Sequence, residues 1–271
     1  MDAAVAAIRA VTDLEPEVVI VLGSGLGSAL PELEAQAEFP FSDLPGFPPA
    51  SVQGHEGRLA LGRLAGVQVG VFFGRIHFYE HRSMSRCSLT SRLAAALGAR
   101  TMVLTASVGG LDSQVKIGAT VIIADHVNLM GTDPLEGWRF ADGSPAFVDV
   151  SSVWDPVLAE LAERCAREIG LWTSRGIYAA VAGPTYETPS EAEFLRRTGA
   201  TVVGMSMVPE AVAAHALGMK VLGVATVANA AGVAVDHTEV LQAGMRTAPA
   251  AGKLLEAILC RPNLNGDRYG E

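Results

Sequence analysis

The sequence predicts an α/β protein whose mixed β-sheet is surrounded by helices. Short apolar runs, typical of buried strands, alternate along the chain with longer segments whose apolar residues recur at helical spacing. The chain has 271 residues and is 49% hydrophobic, which is enough to bury a large core. No repeat, low-complexity tract or linker divides it. We therefore expect a single domain over residues 1–271.

The first half of the chain alternates predicted strands with two predicted helices. The helices are expected at residues 1–11, which are amphipathic, and at residues 85–97. The strands are compact apolar runs at residues 18–22, 59–62, 67–73, 100–104 and 118–124. A loop of small residues, TASVGGL (105–111), follows the strand at 100–104 and suits close approach of a ligand to the backbone.

The second half begins with a long loop. Residues 125–149 have no hydrophobic period and are rich in Gly, Pro and Asp, which is typical of a functional loop. A Thr-Pro pair marks the start of the helix at 188–199 and Gly199 marks its end. The other helices are expected at residues 151–169, 209–217 and 237–259, and the strands at 176–182, 200–204 and 220–228.

Composition and charge exclude several classes of function. The net charge of −9 disfavours nucleic acid as a partner, because such binding needs a basic surface. No apolar run approaches the roughly 20 residues that span a bilayer, and residues 1–12 lack the basic start and apolar run of a signal peptide. The 3 cysteines are widely spaced without a CxxC pair, which argues against disulfides and structural zinc. We expect a cytoplasmic protein without a membrane partner.

Polar residues at the ends of two predicted strands indicate a ligand site. Tyr186 and Glu187 follow one strand on a short, proline-bounded loop, and Ser206 leaves the next strand. Ligands of open α/β sheets bind outside the carboxyl ends of strands, so Glu187 and Ser206 are expected to face one crevice. The alternative is a pair of ordinary βα loops in which Glu187 is a solvated carboxylate.

The glycine turn GSGLGS (23–28) follows the first predicted strand and resembles a phosphate-binding loop. Ser28 stands where the dinucleotide fingerprint GxGxxG has its third glycine, and no strand ending in an acidic residue follows at the expected distance. A dinucleotide site is therefore disfavoured. The turn still offers backbone N–H groups and the Ser24 hydroxyl to an anion, although a plain tight turn is an equally good interpretation.

Basic residues are sparse in this chain, yet several occur close together in predicted loops at strand ends. His55, Arg75 and His77 lie within GHEGRLALGRLAGVQVGVFFGRIHFYEH, beside Tyr79. Arg75 can bind an oxyanion with two parallel N–H groups, and both histidines can donate to the same anion. The spacing of His77 and His81 also suggests a metal, but the glutamate is not where the HExxH motif places it. Solvated loop residues are the remaining alternative.

The motifs GSGLG, GHEGR, GRIHFYE, GPTYETPSE, GMSMVPE, VANAAG and DHTEV occur in this order over residues 18–255. Together they resemble the trimeric, low-molecular-mass purine nucleoside phosphorylases. The resemblance implies reversible phosphorolysis of purine nucleosides, with inosine, guanosine and their deoxy forms as substrates, to free base and ribose 1-phosphate. It also implies a strongly curved mixed sheet and a homotrimer with sites at subunit boundaries. Phosphate is then a co-substrate, and no metal or other cofactor is expected.

The resemblance also assigns roles to residues. The residues expected to bind phosphate are Ser24, His55, Arg75, His77, Ser107 through its backbone N–H, and Ser206 through its hydroxyl. Those expected to contact the sugar are Tyr79, Tyr186, Met205 and His237, the last at the 5′-hydroxyl. The base is expected to contact Glu187, Asn229 and Val203. Catalysis is expected from Asn229, Glu187 and His77, on bases of the 6-oxopurine type.

Three positions depart from the family's pattern. Ala106 replaces an asparagine of the family's TNAAGG loop. The loop is therefore not assumed to have the family's conformation. Ser144 stands where the family offers an aromatic residue that covers the sugar of a neighbouring subunit, and Phe140 and Phe147 are the candidates to replace it. His81 stands where the family has a glycine.

Three alternative functions are weighed against this one. A methylthioadenosine- or methylthioinosine-type phosphorylase of the same fold usually has aspartate at the position of Asn229 and a small or apolar 5′ contact in place of His237. A nucleoside-binding protein without turnover is suggested by Ala106 and Ser144. A dinucleotide-dependent oxidoreductase built on GSGLG is the alternative from another class.

Overall fold

Strands and helices alternate along the chain, as the sequence predicts. The computed structural model describes residues 1–49, 51–52, 54–140 and 142–261, so the end of the predicted domain, residues 262–271, lies outside the described residues. The strands are β1 (Val18–Val21), β2 (Glu34–Pro40), β3 (Arg58–Leu64), β4 (Val67–Phe73), β5 (Thr101–Gly110), β6 (Thr120–Leu129), β7 (Thr173–Val181), β8 (Val202–Gly204) and β9 (Lys220–Ala230). The helices are α1 (Asp2–Arg9), α2 (Phe78–His81), α3 (Met84–Cys87), α4 (Leu89–Ala96), α5 (Pro156–Glu168), α6 (Pro189–Arg197), α7 (Val208–Ala216) and α8 (His237–Leu259).

The strands form one 9-stranded mixed sheet in the order β2-β3-β4-β1-β5-β8-β7-β6-β9. β5 also pairs with β9, so β5, β8, β7, β6 and β9 close into a small barrel. On the other side of β5, β1 and β4 continue in parallel register, and β3 and β2 follow in antiparallel register. The predicted fold class, a curved mixed sheet surrounded by helices, is confirmed.

Helices cover both faces of the sheet, which explains why strands such as β1 are apolar throughout. Val19 and Val21 belong to the core cluster that includes residues of α1, α4 and α7. Val18 and Ile20 belong to the cluster formed with α5 and α8 on the opposite face. Alternate side chains of a strand point to opposite faces, so a strand buried on both sides shows no polar alternation. Among the described residues, no helix has the length and apolarity needed to cross a membrane.

One predicted boundary is wrong in a way that matters for the site. β5 does not end at residue 104 but continues to Gly110, so most of the predicted loop at 105–111 is strand. The small residues that suggested a loop instead allow neighbouring strands to approach closely. A side chain at Gly109 would lie 3.1 Å from Cγ1 of Val203 in β8, and β9 pairs with β5 as far as Gly110.

Other differences from the prediction have local causes. β6 continues into the predicted loop at 125–149 because it pairs with β7 as far as Leu129. The helix predicted at 85–97 is broken at Ser88, whose Oγ donates to the carbonyl of Ser85. The helix predicted at 151–169 begins at Pro156, where the carboxylate of Asp155 caps the backbone N–H groups of the first turn.

The edge strand β2 was not predicted. Its sequence, EAQAEFP, is polar, and only Ala37 and Phe39 are buried. An edge strand has one solvated side and contacts the core through few residues, so its hydrophobic pattern is weak.

Candidate active site

The predicted site residues converge on one cleft at the carboxyl ends of β1, β4, β7, β8 and β9. The cleft contains about 640 Å³ of empty space, part of it open to solvent. The predicted residues that line it are Ser24, Arg75, His77, Tyr79, Ser107, Tyr186, Glu187, Val203, Met205, Ser206, Asn229 and His237. His55 does not line the cleft but contacts Ser24 and Arg75 beside it.

The glycine turn after β1 is held tightly against β5. The backbone N–H of Gly23 donates to Oγ1 of Thr105 at 3.0 Å, and Oγ of Ser107 donates to the carbonyl of Ser24 at 2.8 Å. A side chain at Gly23 would lie 2.8 Å from Cα of Ala106. Ala106, which replaces the family's asparagine, is thus a small residue inside a regular strand. The backbone at this position has the extended conformation of β5.

A gap in the sheet gives a ligand access to the backbone of β5. β1 pairs with residues 101–104 of β5, and β8 pairs with residues 109–110, so neither covers the stretch between them. The carbonyl of Thr105 in this stretch accepts from Nη1 of Arg75 at 2.7 Å. Because alternate residues of a strand direct their polar groups to the same side, the N–H of Ser107 faces the same gap.

Arg75 is the cation of the cleft, and it is only 2% exposed. Its Nη1 donates to the carbonyl of Thr105 at 2.7 Å and to Oγ of Ser206 at 3.3 Å. Its Nε lies 2.9 Å from Oε2 of Glu210. Nε makes this ion pair without a hydrogen bond of normal geometry, and Nη2 is buried and has no hydrogen-bond partner among the described residues. Buried donors are nearly always satisfied in native proteins, and a bound anion would satisfy this one.

His55 is a neutral donor beside the glycine turn. Burial, together with the nearby His77 and Arg75, lowers the pKa of His55 to about 3. Its Nδ1 lies 3.1 Å from the backbone N of Arg75 and 3.3 Å from the carbonyl O of the same residue. The shorter contact, in which Nδ1 accepts from the N–H, places the ring proton on Nε2, which then donates to Oγ of Ser24 at 3.0 Å. Gly74, with φ +115°, lets the ring come this close, because a side chain there would lie 2.7 Å from Cβ of His55.

His77 is oriented by Glu80, a residue to which the sequence analysis gave no role. Oε1 of Glu80 accepts from the backbone N–H of His77 at 2.7 Å and lies 3.2 Å from its Nδ1. Burial tends to raise the pKa of Glu80, but hydrogen bonds from His77 and Ser51 outweigh it and lower that pKa to about 2. An ionised carboxylate only accepts, so the ring proton lies on Nδ1. Burial lowers the pKa of His77, and Nε2 is then an acceptor, not the donor that the sequence predicts.

Ser206 is held by a strained turn and by a buried tyrosine. The N–H of Val208 donates to the carbonyl of Ser206 at 2.7 Å, and Met207 between them has φ +60°. This is a γ-turn, which is rare and costs about 1–3 kcal/mol, and such strain is concentrated at functional sites. The hydroxyl of Tyr178 accepts from the N–H of Ser206 at 3.2 Å. It reaches Ser206 only because Gly204 has no side chain in its path.

A β-bulge directs Asn229 into the far end of the cleft. The register of β5 and β9 shifts by one residue between Val108 and Gly109, so Asn229 pairs with Gly109. Bulges of this kind re-aim a side chain. Asn229 is 8% exposed, and its Nδ2 donates one hydrogen to the carbonyl of Ala230 at 3.1 Å. The second Nδ2 hydrogen and Oδ1 are left for a ligand.

Glu187 and two ring-bearing residues complete this end of the cleft. Burial raises the pKa of Glu187, and the charge of Glu191 raises it further. The hydroxyl of Tyr186 lies 3.5 Å from Nδ1 of His237, the first residue of α8. The sequence prediction that Glu187 and Ser206 face one crevice is therefore correct in geometry, since both line the same cleft.

Comparison with known proteins identifies the family of this chain. Residues 17–260 match the sequence profile of the Phosphorylase superfamily. The chain belongs to this superfamily. Purine nucleoside phosphorylase 1 of Bacillus subtilis is 41% identical to the chain over 250 residues, which are 91% of this chain and 92% of that protein.

Solved structures of purine nucleoside phosphorylases from Schistosoma mansoni share the fold. Isoform 2, in complex with cytosine and ribose-1-phosphate, has a TM-score of 0.90 at 34% identity and covers 96% of this chain and 95% of that chain. A complex with inosine has a TM-score of 0.83 at 31% identity, with coverage of 96% and 95%. The resemblance to the purine nucleoside phosphorylases is confirmed, and the chain is an enzyme of this group. The oxidoreductase alternative has no support.

The loop that contains Phe140, Ser144 and Phe147 was predicted to cover the sugar of a neighbouring subunit. It does not line the cleft of its own chain. Phe140 is 47% exposed and Phe147 is 88% exposed, and neither lines the cleft. Ser144 closes a turn, where its carbonyl accepts from the N–H of Phe140 at 2.9 Å. Among the described residues, no group of three or more His, Cys, Asp or Glu side chains is arranged to hold a metal ion.

Sequence reasoning missed the residues that support the predicted ligands from behind. These are Glu210 behind Arg75, Glu80 behind His77 and Tyr178 behind Ser206. Two signals were present in the sequence. Glu210 is the acidic residue of the otherwise apolar segment VPEAVAA, and Glu80 follows His77 at the spacing of one helical turn.

Proposed function

We propose that the cleft catalyses reversible phosphorolysis of 6-oxopurine nucleosides, such as inosine and guanosine, to the free base and ribose 1-phosphate. One observation carries the proposal. A buried arginine with an unpartnered N–H group shares a cleft with a carboxylate and an amide that suit the edge of a purine. Family membership supplies the reaction class, and the residues of the cleft supply the choice of substrate.

The phosphate end is built from Ser24, His55, Arg75, His77, Ser107 and Ser206. Arg75 supplies the positive charge, and burial lowers the pKa of both histidines so that they add no further positive charge. Nε2 of His55 donates to Oγ of Ser24 and leaves the hydroxyl hydrogen of Ser24 for the anion, while Nε2 of His77 accepts from a protonated phosphate oxygen. The arrangement suits hydrogen phosphate, which carries both acceptors and one donor.

The base end suits a 6-oxopurine. Such a base presents a donor at N1 and an acceptor at O6, whereas adenine presents the reverse. Glu187, when ionised, accepts from N1–H, and the free Nδ2 hydrogen of Asn229 donates to O6 or N7. Val203, which is buried in β8, packs on the face of the base.

The reaction separates charge, and the two ends of the cleft stabilise its two halves. When the bond between C1′ and the base nitrogen breaks, its electron pair leaves on the purine and positive charge develops on the sugar. Asn229 donates to the purine as it gathers negative charge. Phosphate held beneath C1′ stabilises the cation and then forms the new C1′–O bond.

The direct test is to incubate the purified protein with inosine in the presence and absence of inorganic phosphate. We expect hypoxanthine to be released at a rate that depends on phosphate, together with ribose 1-phosphate. Binding of inosine without any release of hypoxanthine would favour a nucleoside-binding protein without turnover and contradict the proposal.

Binding of inosine should weaken as the pH is lowered. The weakening should begin at a higher pH than it would if Glu187 had the pKa of a solvated glutamate. The pKa of Glu187 is raised by burial, above the ordinary value of about 4.3, so the carboxylate is protonated and stops accepting from N1–H as pH falls through that raised value. The dissociation constant of inosine without phosphate, measured from about pH 8 down to about pH 4, tests this. The acidic limb should disappear in Glu187→Gln, and a wild-type constant independent of pH would remove Glu187 from the base contact.

His237 should matter only for substrates that carry a 5′-hydroxyl. It stands at the start of α8 beside Tyr186. We expect His237→Ala to raise the KM of inosine about 2- to 13-fold, the equivalent of one net hydrogen bond, and to leave 5′-deoxyinosine unchanged. Equal losses for the two substrates would show that His237 has a structural role instead.

We propose a homotrimer in which Phe147 from one copy covers the sugar site of the next. The 88% exposure of Phe147 in the single chain is compatible with this, because it leaves the ring accessible to a neighbouring copy. Phe147→Ala should raise the nucleoside KM about 5- to 30-fold, since truncating an interface aromatic often costs about 1–2 kcal/mol. The phosphate KM should not change. Phe140→Ala is the matched control, and a larger effect there would assign the cover to Phe140.

A further inference from the structure

Glu210 is a buried carboxylate in an apolar environment. It is the third residue of α7 and is 2% exposed, and its neighbours in the helix are buried apolar residues. Burying an ionised carboxylate costs free energy unless it is paired and hydrogen-bonded. Burial accordingly raises the pKa of Glu210, and the charge of Arg75 opposes this effect. A hydrophobic residue at this position would serve packing better, so the carboxylate requires an explanation beyond the stability of α7.

The contacts of Glu210 converge on the phosphate end of the cleft. Its Oε2 lies 2.9 Å from Nε of Arg75, and its Oε1 accepts from the hydroxyl of Thr90 at 3.1 Å. The backbone N–H of Met207, at the start of α7, also lowers the pKa of this carboxylate.

One side chain therefore restrains two predicted phosphate ligands that are distant in sequence. With Nε in an ion pair with Glu210 and Nη1 hydrogen-bonded to Thr105 and Ser206, the guanidinium of Arg75 keeps one orientation, in which Nη2 has no hydrogen-bond partner among the described residues. Met207 is the centre of the strained γ-turn that follows Ser206. The N–H of Met207 favours the charged form of Glu210, which links the carboxylate electrostatically to that turn.

We propose that Glu210 is a positioning residue for phosphate: it fixes Arg75 and the turn after Ser206 in the arrangement that receives the anion, without touching the anion itself. This inference rests on the proposed function, because it assigns Glu210 to the phosphate end of that site. It differs from a purely structural role, in which loss of Glu210 would lower stability and affect both substrates alike.

The test compares Glu210→Gln with wild type in two measurements. Glutamine keeps the size of the side chain but removes its charge. The KM for phosphate should rise about 10-fold or more, as expected when a charged hydrogen-bonding partner is lost, while the KM for inosine should change by less than about 2-fold. In an Arg75→Ala background, the effect of Glu210→Gln on phosphate should shrink, because a residue that acts through Arg75 is coupled to it.

Ser91→Ala is the matched control. Oγ of Ser91 donates to the backbone carbonyl of Glu210 at 2.8 Å and not to its carboxylate, so this variant disturbs the same packing and should leave the phosphate KM unchanged. If Glu210→Gln does not fold, Glu210→Asp replaces it. Aspartate keeps the charge but is one methylene shorter, so it should weaken phosphate selectively as well.

The second measurement separates this inference from the proposed function. The rise in melting temperature caused by inorganic phosphate, without nucleoside, reports phosphate binding independently of turnover. Wild type should be stabilised by phosphate and Glu210→Gln much less. If wild type binds phosphate and the folded Glu210 variants bind it equally well, or lose both substrates equally, the positioning role is wrong and the proposed function stands. If wild type neither binds phosphate nor releases hypoxanthine, both are wrong.

Discussion

Asn229→Asp is expected to lower the turnover of inosine by about 10²- to 10³-fold, the usual cost of removing one donor aimed at developing charge. The free Nδ2 hydrogen of Asn229 is the donor in question, since the other is used by the carbonyl of Ala230. An ionised aspartate can only accept, so it faces the 6-amino group of adenosine favourably and O6 of inosine unfavourably. Steady-state turnover of both nucleosides should show the ratio of adenosine to inosine rising.

Two variants complete this experiment. Glu187→Gln should also reduce inosine turnover strongly, because the charged acceptor for N1–H is lost. Asn128→Asp is the matched control, since Asn128 is an exposed residue of β6 and does not line the cleft. An unchanged ratio of inosine to adenosine in Asn229→Asp would falsify the assignment of Asn229 to the purine.

Arg75→Ala is expected to raise the KM for phosphate about 10- to 150-fold, because a hydrogen bond to a charged group is worth about 1.5–3 kcal/mol. The KM for inosine should change far less. The variant also leaves Glu210 buried without its partner, which commonly destabilises a fold by about 3–5 kcal/mol. Thermal unfolding must therefore be followed alongside the kinetics. Arg75→Lys retains a cation for Glu210 but loses the planar pair of donors, so it should show the phosphate defect with less loss of stability.

A second arginine serves as the control for Arg75. Arg58 pairs with Glu38 and Glu56 on the surface of β3 and lies over the ring of Phe73, outside the cleft. Arg58→Ala should leave both Michaelis constants close to those of wild type. Equal rises in the two constants for Arg75→Ala would remove Arg75 from the phosphate site.

The fold was largely predictable because its core strands are buried on both faces. A continuous apolar run such as VVIV in β1 is typical of a strand in a sheet that is covered by helices on both faces. Prediction failed where tertiary contacts override local signals. The small residues after residue 104 suggest a loop in isolation, but they continue β5 because β8 and β9 approach it closely. Edge strand β2 escaped prediction because little of it is buried.

Residues that face the ligand were easier to predict than those behind them. His55, Arg75 and His77 stand out as basic groups at strand ends in an acidic chain. Glu210 comes from α7 and meets Arg75 only in the folded structure. The tautomers of the histidines were equally unpredictable, because they depend on Glu80 and on the backbone N–H of Arg75. A spacing rule can find a helical pair, but it cannot tell which nitrogen carries the proton.

The central claim is that one cleft holds phosphate and a 6-oxopurine nucleoside together. It is tested most directly by measuring kcat/KM of the wild-type protein for inosine and for adenosine at saturating phosphate, with the sugar product identified. We predict a large preference for inosine and ribose 1-phosphate as the only sugar product. Equal or greater activity on adenosine, or release of free ribose, would contradict it.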